Sequence, residues 1–154
     1  MASTGPIACP GRVLVVEDDP AAARFACYVL GERGGFDVAH VPDPVVALQR
    51  IADEHWDLVL ADLDLPHMSG LDLLASVRRA APGLPVVLTT ARAMDAVHTH
   101  ALLLHADAFL DKPIAPRRLI VVARALAASG RGSGRGSAVR AETPGTERPS
   151  GRGG

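Results

Sequence analysis

Apolar and polar positions along the chain alternate between two periods. "RVLVVE" (Arg12 to Glu17) is a continuous apolar run of the kind that forms a strand buried on both faces. Asp19 and Pro20 then supply an N-cap and a proline at the first helical position, predicting a helix through Phe25, Tyr28 and Val29 that stops at Gly34 and Gly35. "FDVAH" is a second, shorter strand, and Asp43 with Pro44 repeats the cap signature for a helix carrying Val45, Leu48 and Ile51. "DLVLA" is the third strand, and Ser69 with Asp72 forms a capping box for a helix presenting Leu71, Leu74 and Val77. "PVVLTT" is the fourth strand, a helix follows from about Ala93 to Leu104, and "DAFLD" is the fifth strand. Pro116 opens a last helix through Leu119, Val122, Ala123 and Leu126.

Five strands alternating with five helices imply an α/β fold, a doubly wound parallel sheet with right-handed crossovers. In such sheets ligands bind beyond the carboxyl ends of the strands, where strand order reverses. The residues at those ends are Glu17, Asp18 and Asp19, then Asp62 and Asp64, then Thr89 and Thr90, and finally Lys112.

Composition narrows the class. The chain has 154 residues, enough for one domain with a substantial core, and 48% of them are apolar. No run approaches the roughly 18 apolar residues that span a membrane, and "MASTGPIACPG" lacks the features of a signal peptide, so the expectation is a cytoplasmic protein with no membrane partner. Residues 1–11 are expected to be a disordered N-terminal segment. Cys9 and Cys27 form no CxxC motif and read as small buried thiols, Cys27 on a buried helix face. From Ser129 to Gly154 the chain carries five Arg, two Glu and almost nothing apolar, which predicts a disordered tail of net charge +3 and leaves residues 1–128 at −4. An acidic body argues against nucleic acid as a partner, and the tail is read as a solvated spacer with only a weak charge attraction for it.

Converging carboxylates at the strand ends carry the chemistry. Like charges about 4 Å apart repel by roughly 4 kcal/mol at an effective dielectric of 20, so Glu17, Asp18 and Asp62 stay ionised together only with a cation. Oxygen ligands without His or Cys suit a hard ion, Mg²⁺. Lys112, the single lysine of the chain, and the hydroxyl of Thr90 complete a site able to stabilise a phosphoryl group transferred onto a carboxylate, with Asp62 as the nucleophile.

"VLVVEDDP", "DLVLADLDLPHMSG", "PVVLTTARA" and "FLDKPI" resemble, in order and spacing, the signature segments of receiver domains of bacterial two-component response regulators. The resemblance covers about residues 12 to 128. It implies a flavodoxin-like fold with strand order 2-1-3-4-5 and a phosphoryl group received from a histidine kinase or a histidine phosphotransfer protein. It further implies metal binding by Glu17 and Asp18, with Asp62 as phosphoacceptor and the backbone carbonyl of Asp64 as a further ligand. Thr90 corresponds to the switch hydroxyl, Phe109 to the switch aromatic, Lys112 to the phosphoryl contact, and Pro113 to a proline preceded by a cis peptide. Asp64 and Arg92 stand where side chains modulate the rate of phosphoryl hydrolysis. Such a protein is a phosphoacceptor with slow self-dephosphorylation and no enzyme in the usual sense.

Two further readings compete. "DLDLP" also resembles the first motif of haloacid-dehalogenase-type phosphatases, with Asp62 as nucleophile and Asp64 as acid/base, but that family places it on the first strand and leaves "VVEDDP" unused. A degenerate receiver acting only as a binding module would have lost an acid, the Thr or the Lys, and none is lost. His98, His100 and His105 read as solvent-facing side chains, and Leu102 to Leu104 as core with one member exposed. With no output domain in view, the expectation is a stand-alone receiver. Its downstream partner, or a phosphorylation-dependent second copy, is expected on the face made by the helix from Ala93, the strand around Phe109 and the helix from Pro116.

Overall fold

The alternation of buried side chains along β1 (Arg12–Val16) shows how the molecule is layered. Val13 and Val15 point into one apolar cluster and Leu14 and Val16 into another, so the strand is covered on both faces, as its unbroken apolar run requires. In this computed structural model, which describes residues 8–91 and 106–132, β1 is joined by β2 (Asp37–Val41), β3 (Leu58–Asp62), β4 (Val86–Thr90) and β5 (Ala108–Asp111). All pairings are parallel and the order is β2-β1-β3-β4-β5. The register sets Asp62 beside Thr89 and Thr90 beside Asp111, which brings the acid-bearing and hydroxyl-bearing strand ends to one edge.

Helices α1 (Pro20–Tyr28) and α4 (Pro116–Gly132) cover one face, α2 (Pro44–Asp53) and α3 (Gly70–Ala80) the other. Their starts follow the local rules: the Asp19 carboxylate accepts from the amides of Ala21 and Ala22, Asp43 from Val45, and the Ser69 hydroxyl from Asp72. The helix expected from Ala93 to Leu104 lies outside the described residues, as do His98, His100, His105 and the three leucines. After Tyr28 the first helix widens into a π-helical turn, Val29–Arg33, before Gly35 (φ 78°) ends it.

Several inward faces differ from the sequence reading. In α1 the small Ala23 and Ala26 meet the sheet, while Phe25 and Tyr28 are exposed. In α2, Pro44, Ala47, Leu48 and Ile51 form the buried stripe and Val45 points out; in α3, Gly70, Leu73, Leu74 and Val77 do so and Leu71 points out. Each outward residue sits about 100° from its stripe, and the sheet selected the stripe that packs closest. Cys27 is half-buried against the α1/α4-side cluster rather than enclosed. Gly11 is buried and its carbonyl accepts from the amide of Asp37. Helix α4 continues to Gly132, past the expected boundary at 128, because backbone bonding in a helix already formed needs no apolar side chains.

Close contacts hold the frame at both ends of the strands. The amide of Gly70 donates to the carbonyl of Leu63 at 2.8 Å, and a Cβ added at Gly70 would lie 2.7 Å from the carbonyl oxygen of Asp62. At the opposite edge Arg12 lies 4.2 Å over the Trp56 ring and pairs with Asp37 and Glu54, while Arg50 pairs with Glu54 at 2.8 Å.

Gly70→Ala is expected to push α3 off the end of β3 and to lower the unfolding free energy by about 1–3 kcal/mol, read as a lower urea midpoint at unchanged slope. Glu54 is held below the ordinary carboxylate pKa of 4.5, chiefly by the hydrogen bond from Arg50. Its contribution is therefore present above that value and is lost as pH falls through the depressed folded value. Glu54→Gln should accordingly lower the urea midpoint at pH 7, and the difference from wild type should close in acid.

Candidate functional site: an acidic pocket bridged by one lysine

The chain turns sharply after β1 because Asp19 caps α1, and this leaves Glu17 and Asp18 at the carboxyl end of the strand. Asp62 is the last residue of β3, beside β1 in the sheet. Carboxylate oxygens of Glu17, Asp18 and Asp62 all lie within 4.8 Å of one another, with Glu17 and Asp62 buried and Asp18 exposed. Lys112 follows β5, joined to Pro113 by a cis peptide bond as the sequence resemblance implies. Its Nζ donates to Glu17 Oε2 at 2.9 Å and to Asp62 Oδ2 at 3.0 Å. The other carboxylate oxygens are held from the backbone: Glu17 Oε1 accepts from the amide of Asp19 at 3.1 Å, and Asp62 Oδ1 from that of Asp64 at 3.0 Å.

Burial pushes the Glu17 carboxyl above its ordinary pKa, against the lowering effect of the bond from Lys112. For Lys112 burial works against the charge, but its hydrogen bonds to Glu17 and Asp62 outweigh that and its pKa rises. The ammonium is therefore firmly protonated and serves as the internal counterion of two buried acids.

Thr90 ends β4 fully buried, and its carbonyl accepts from the amide of Lys112 at 2.7 Å, so the two expected phosphoryl contacts share one backbone link. Phe109 pairs with Leu88 in the sheet and packs half-buried against the α2/α3-side cluster. Asp64 is exposed in the loop after β3, where His67 adopts a left-handed conformation (φ 65°). Arg92 lies outside the described residues. One contact at the site was not read from sequence: His40 Nε2, at the end of β2, donates to the carbonyl of Glu17 at 2.7 Å. A His at a strand end carries no local signal for this, since the partner comes from the neighbouring strand.

Beside the acids a cavity of about 310 Å³ opens between α1 and the loop after β5, lined by Ala22, Phe25, Leu60, Ile114 and Pro116. Three convergent carboxylates, with no His or Cys in the group, form an oxygen-only donor set that fits a hard divalent cation such as Mg²⁺. A carboxylate so placed, with an ammonium at hydrogen-bond distance, is equipped to accept an electrophilic phosphoryl group and to have the developing charge neutralised.

Comparison with known proteins agrees. The response regulator receiver domain family matches residues 13–124. The DNA-binding response regulator MtrA of Mycolicibacterium smegmatis is 41% identical over 115 residues, covering 74% of this chain and 49% of that protein. The phosphate regulon transcriptional regulatory protein PhoB of Klebsiella pneumoniae is 33% identical over 117 residues, covering 75% and 51%. This chain thus spans about half the length of the curated relatives it matches. Among solved structures, a CheY-like receiver domain from Methanospirillum hungatei JF-1 superposes with a TM-score of 0.72 at 29% identity, covering 80% of this chain and 98% of that one. The receiver domain of the Francisella response regulator 1452 gives 0.70 at 27% identity, covering 77% and 98%. The phosphatase and binding-module readings find no support in these matches. Sheet order, acidic cluster and sequence match lead to one conclusion: the chain belongs to the response regulator receiver domain family of two-component signalling.

Proposed function

We propose that Asp62 is the phosphoacceptor of this receiver and that Glu17, Asp18, Asp62 and the backbone carbonyl of Asp64 bind the Mg²⁺ it works with. The observation that carries this reading is Lys112, drawn from the far side of the sheet to bond Glu17 and Asp62 together. The phosphoryl donor is a histidine kinase or a histidine phosphotransfer protein: an Asp62 carboxylate oxygen attacks phosphorus, an O–P bond forms, and the N–P bond to the donor imidazole breaks. Lys112 follows the new negative charge and releases Glu17. Bound Mg²⁺ supplies charge neutralisation at the phosphoryl oxygens.

Thr90 then bonds the phosphoryl group, and Phe109 repacks into the space its movement leaves, which changes the face formed by residues 93–104, β5 and α4. A half-buried ring has apolar area still to bury, worth about 1–2 kcal/mol, enough for a several-fold to roughly thirtyfold shift between two packings. That face is the docking surface for a downstream partner or a second phosphorylated copy. The phosphoryl group is lost by slow self-hydrolysis at a rate tuned by Asp64 and Arg92. The receiver domain takes in residues 12–128, followed by the Arg/Gly/Ser-rich tail of residues 129–154, and a cytoplasmic place follows from a cytoplasmic phosphodonor. Among the described residues no helix is long and apolar enough to cross a membrane.

Incubation with Mg²⁺ and a small phosphodonor should add one acid-stable, base-labile phosphoryl group, seen by intact mass, and Asp62→Asn should abolish it; equal labelling of that variant would sink the assignment. Because the three acids repel, Asp18→Asn should melt higher than wild type without metal and gain little when Mg²⁺ is added. Differential scanning fluorimetry across a Mg²⁺ series reads this, and a full wild-type shift in the variant would place the cation elsewhere.

A further inference from the structure

Asp18 differs from the other two acids of the site in how it is held. Glu17 and Asp62 each have both carboxylate oxygens bonded, one to Lys112 and the other to the amide of Asp19 or of Asp64. The Asp18 carboxylate is exposed and, among the described residues, makes no hydrogen bond or ion pair. Its position therefore depends on the backbone that carries it. The peptide unit after Asp18 is fixed, because the Asp19 amide donates to Glu17 Oε1 at 3.1 Å. The peptide unit before it consists of the Glu17 carbonyl and the Asp18 amide, and among the described residues that carbonyl is held by His40 Nε2 at 2.7 Å. His40 stands opposite Val15 in the β1/β2 register, on the same side of the sheet as Val38, and its ring leans along the strand to reach a carbonyl two residues further on. Both the Nε2–H tautomer and the imidazolium donate to a carbonyl. His40 is not among the convergent ligand groups, so its ring orients and does not coordinate.

We propose that His40 is a positioning residue of the metal site: by fixing the Glu17–Asp18 peptide plane it keeps the Asp18 carboxylate within reach of Glu17 and Asp62. The inference rests on the reading of these acids as the Mg²⁺ site that serves Asp62, and adds to it the residue that sets the third ligand. His40 is exposed, so water can satisfy the Glu17 carbonyl once the ring is removed, but a mobile water leaves the plane free to turn. Mg²⁺ demands near-ideal octahedral geometry at about 2.1 Å and so tolerates a wandering ligand poorly. Groups that orient metal ligands typically govern affinity by about 10- to 100-fold, and the exposure of His40 puts its share at the low end.

The test compares the full chain with His40→Leu, which keeps much of the volume and removes the donor, and with His40→Gln, whose amide nitrogen lies the same number of bonds from Cα as Nε2. Mg²⁺ is titrated without phosphodonor and followed by backbone amide chemical shifts, and amide order parameters are measured on the metal-free proteins. His40→Leu should weaken Mg²⁺ binding about 10-fold and lower the order parameter at Asp18, while His40→Gln should stand close to wild type in both. With a small phosphodonor, His40→Leu should be labelled slowly at limiting Mg²⁺ and at the wild-type rate once Mg²⁺ saturates. A histidine that only stabilised the fold would lower the metal-free melting temperature and leave the Mg²⁺ affinity of the folded chain unchanged. Unchanged affinity in His40→Leu, a His40→Gln chain that binds as weakly as His40→Leu, or a wild type that binds no Mg²⁺ would overturn the proposal. A wild type that binds Mg²⁺ but takes no phosphoryl group would sink the phosphoacceptor reading and leave the His40 comparison decisive, so the two failures are distinguishable.

Discussion

Two buried carboxylates bridged by one ammonium are the interaction on which this fold's chemistry depends. Glu17 and Asp62 sit on adjacent strand ends where mutual repulsion disfavours the folded chain, and Lys112 offsets that repulsion at 2.9 and 3.0 Å. The lysine lies 95 residues from Glu17 and 50 from Asp62, so the bond exists only if β1, β3, β4 and β5 all stand in register. Whatever moves the lysine is felt along β4 and β5 through its amide bond to the carbonyl of Thr90.

The two faces of the sheet answer different needs. On the α2/α3 side large aliphatic residues fill the space against the strands, and Gly70 lets α3 approach the end of β3 closely enough to fix the loop that carries Asp64. On the α1/α4 side Ala26, Ala123 and Ala127 join Val29, Leu30 and Leu119 against the strands, and a cavity remains beside the acids with Phe25 at its rim. Rigidity under Asp62 and open space beside it together hold that carboxylate still while leaving it accessible.

At the other end of the strands, Arg78 binds the carbonyl of Leu84 and the Asp107 carboxylate, each at 2.6 Å, while Asp107 also accepts from the amide of Val86. With the Arg12, Glu54 and Trp56 group, this ties the amino ends of the strands through hydrogen bonds that take no part in the site. Stability and chemistry are thus placed at opposite ends of the sheet, the usual division in open parallel sheets.

Much of this was legible in the sequence, for physical reasons that can be named residue by residue. Strands buried on both faces must be continuously apolar, so "RVLVV" and "PVVLTT" declared themselves; caps are local hydrogen bonds, so Asp19, Asp43 and Ser69 marked helix starts within three residues. The acids at the ends of β1 and β3, the Thr pair and the single Lys were visible because an open parallel sheet collects its strand ends at one edge. Tertiary packing alone decided which stripe of α1, α2 and α3 turned inward, since Phe25, Val45 and Leu71 fit a 3.6-residue period as well as the residues actually buried. It also decided that His40 bonds the Glu17 carbonyl, that Gly70 admits no Cβ, and that α4 runs to Gly132 with Arg117, Arg118 and Arg124 exposed. Local sequence determines what a segment can form; the partner it meets across the sheet, tens of residues away, determines which side of it becomes core and which becomes surface.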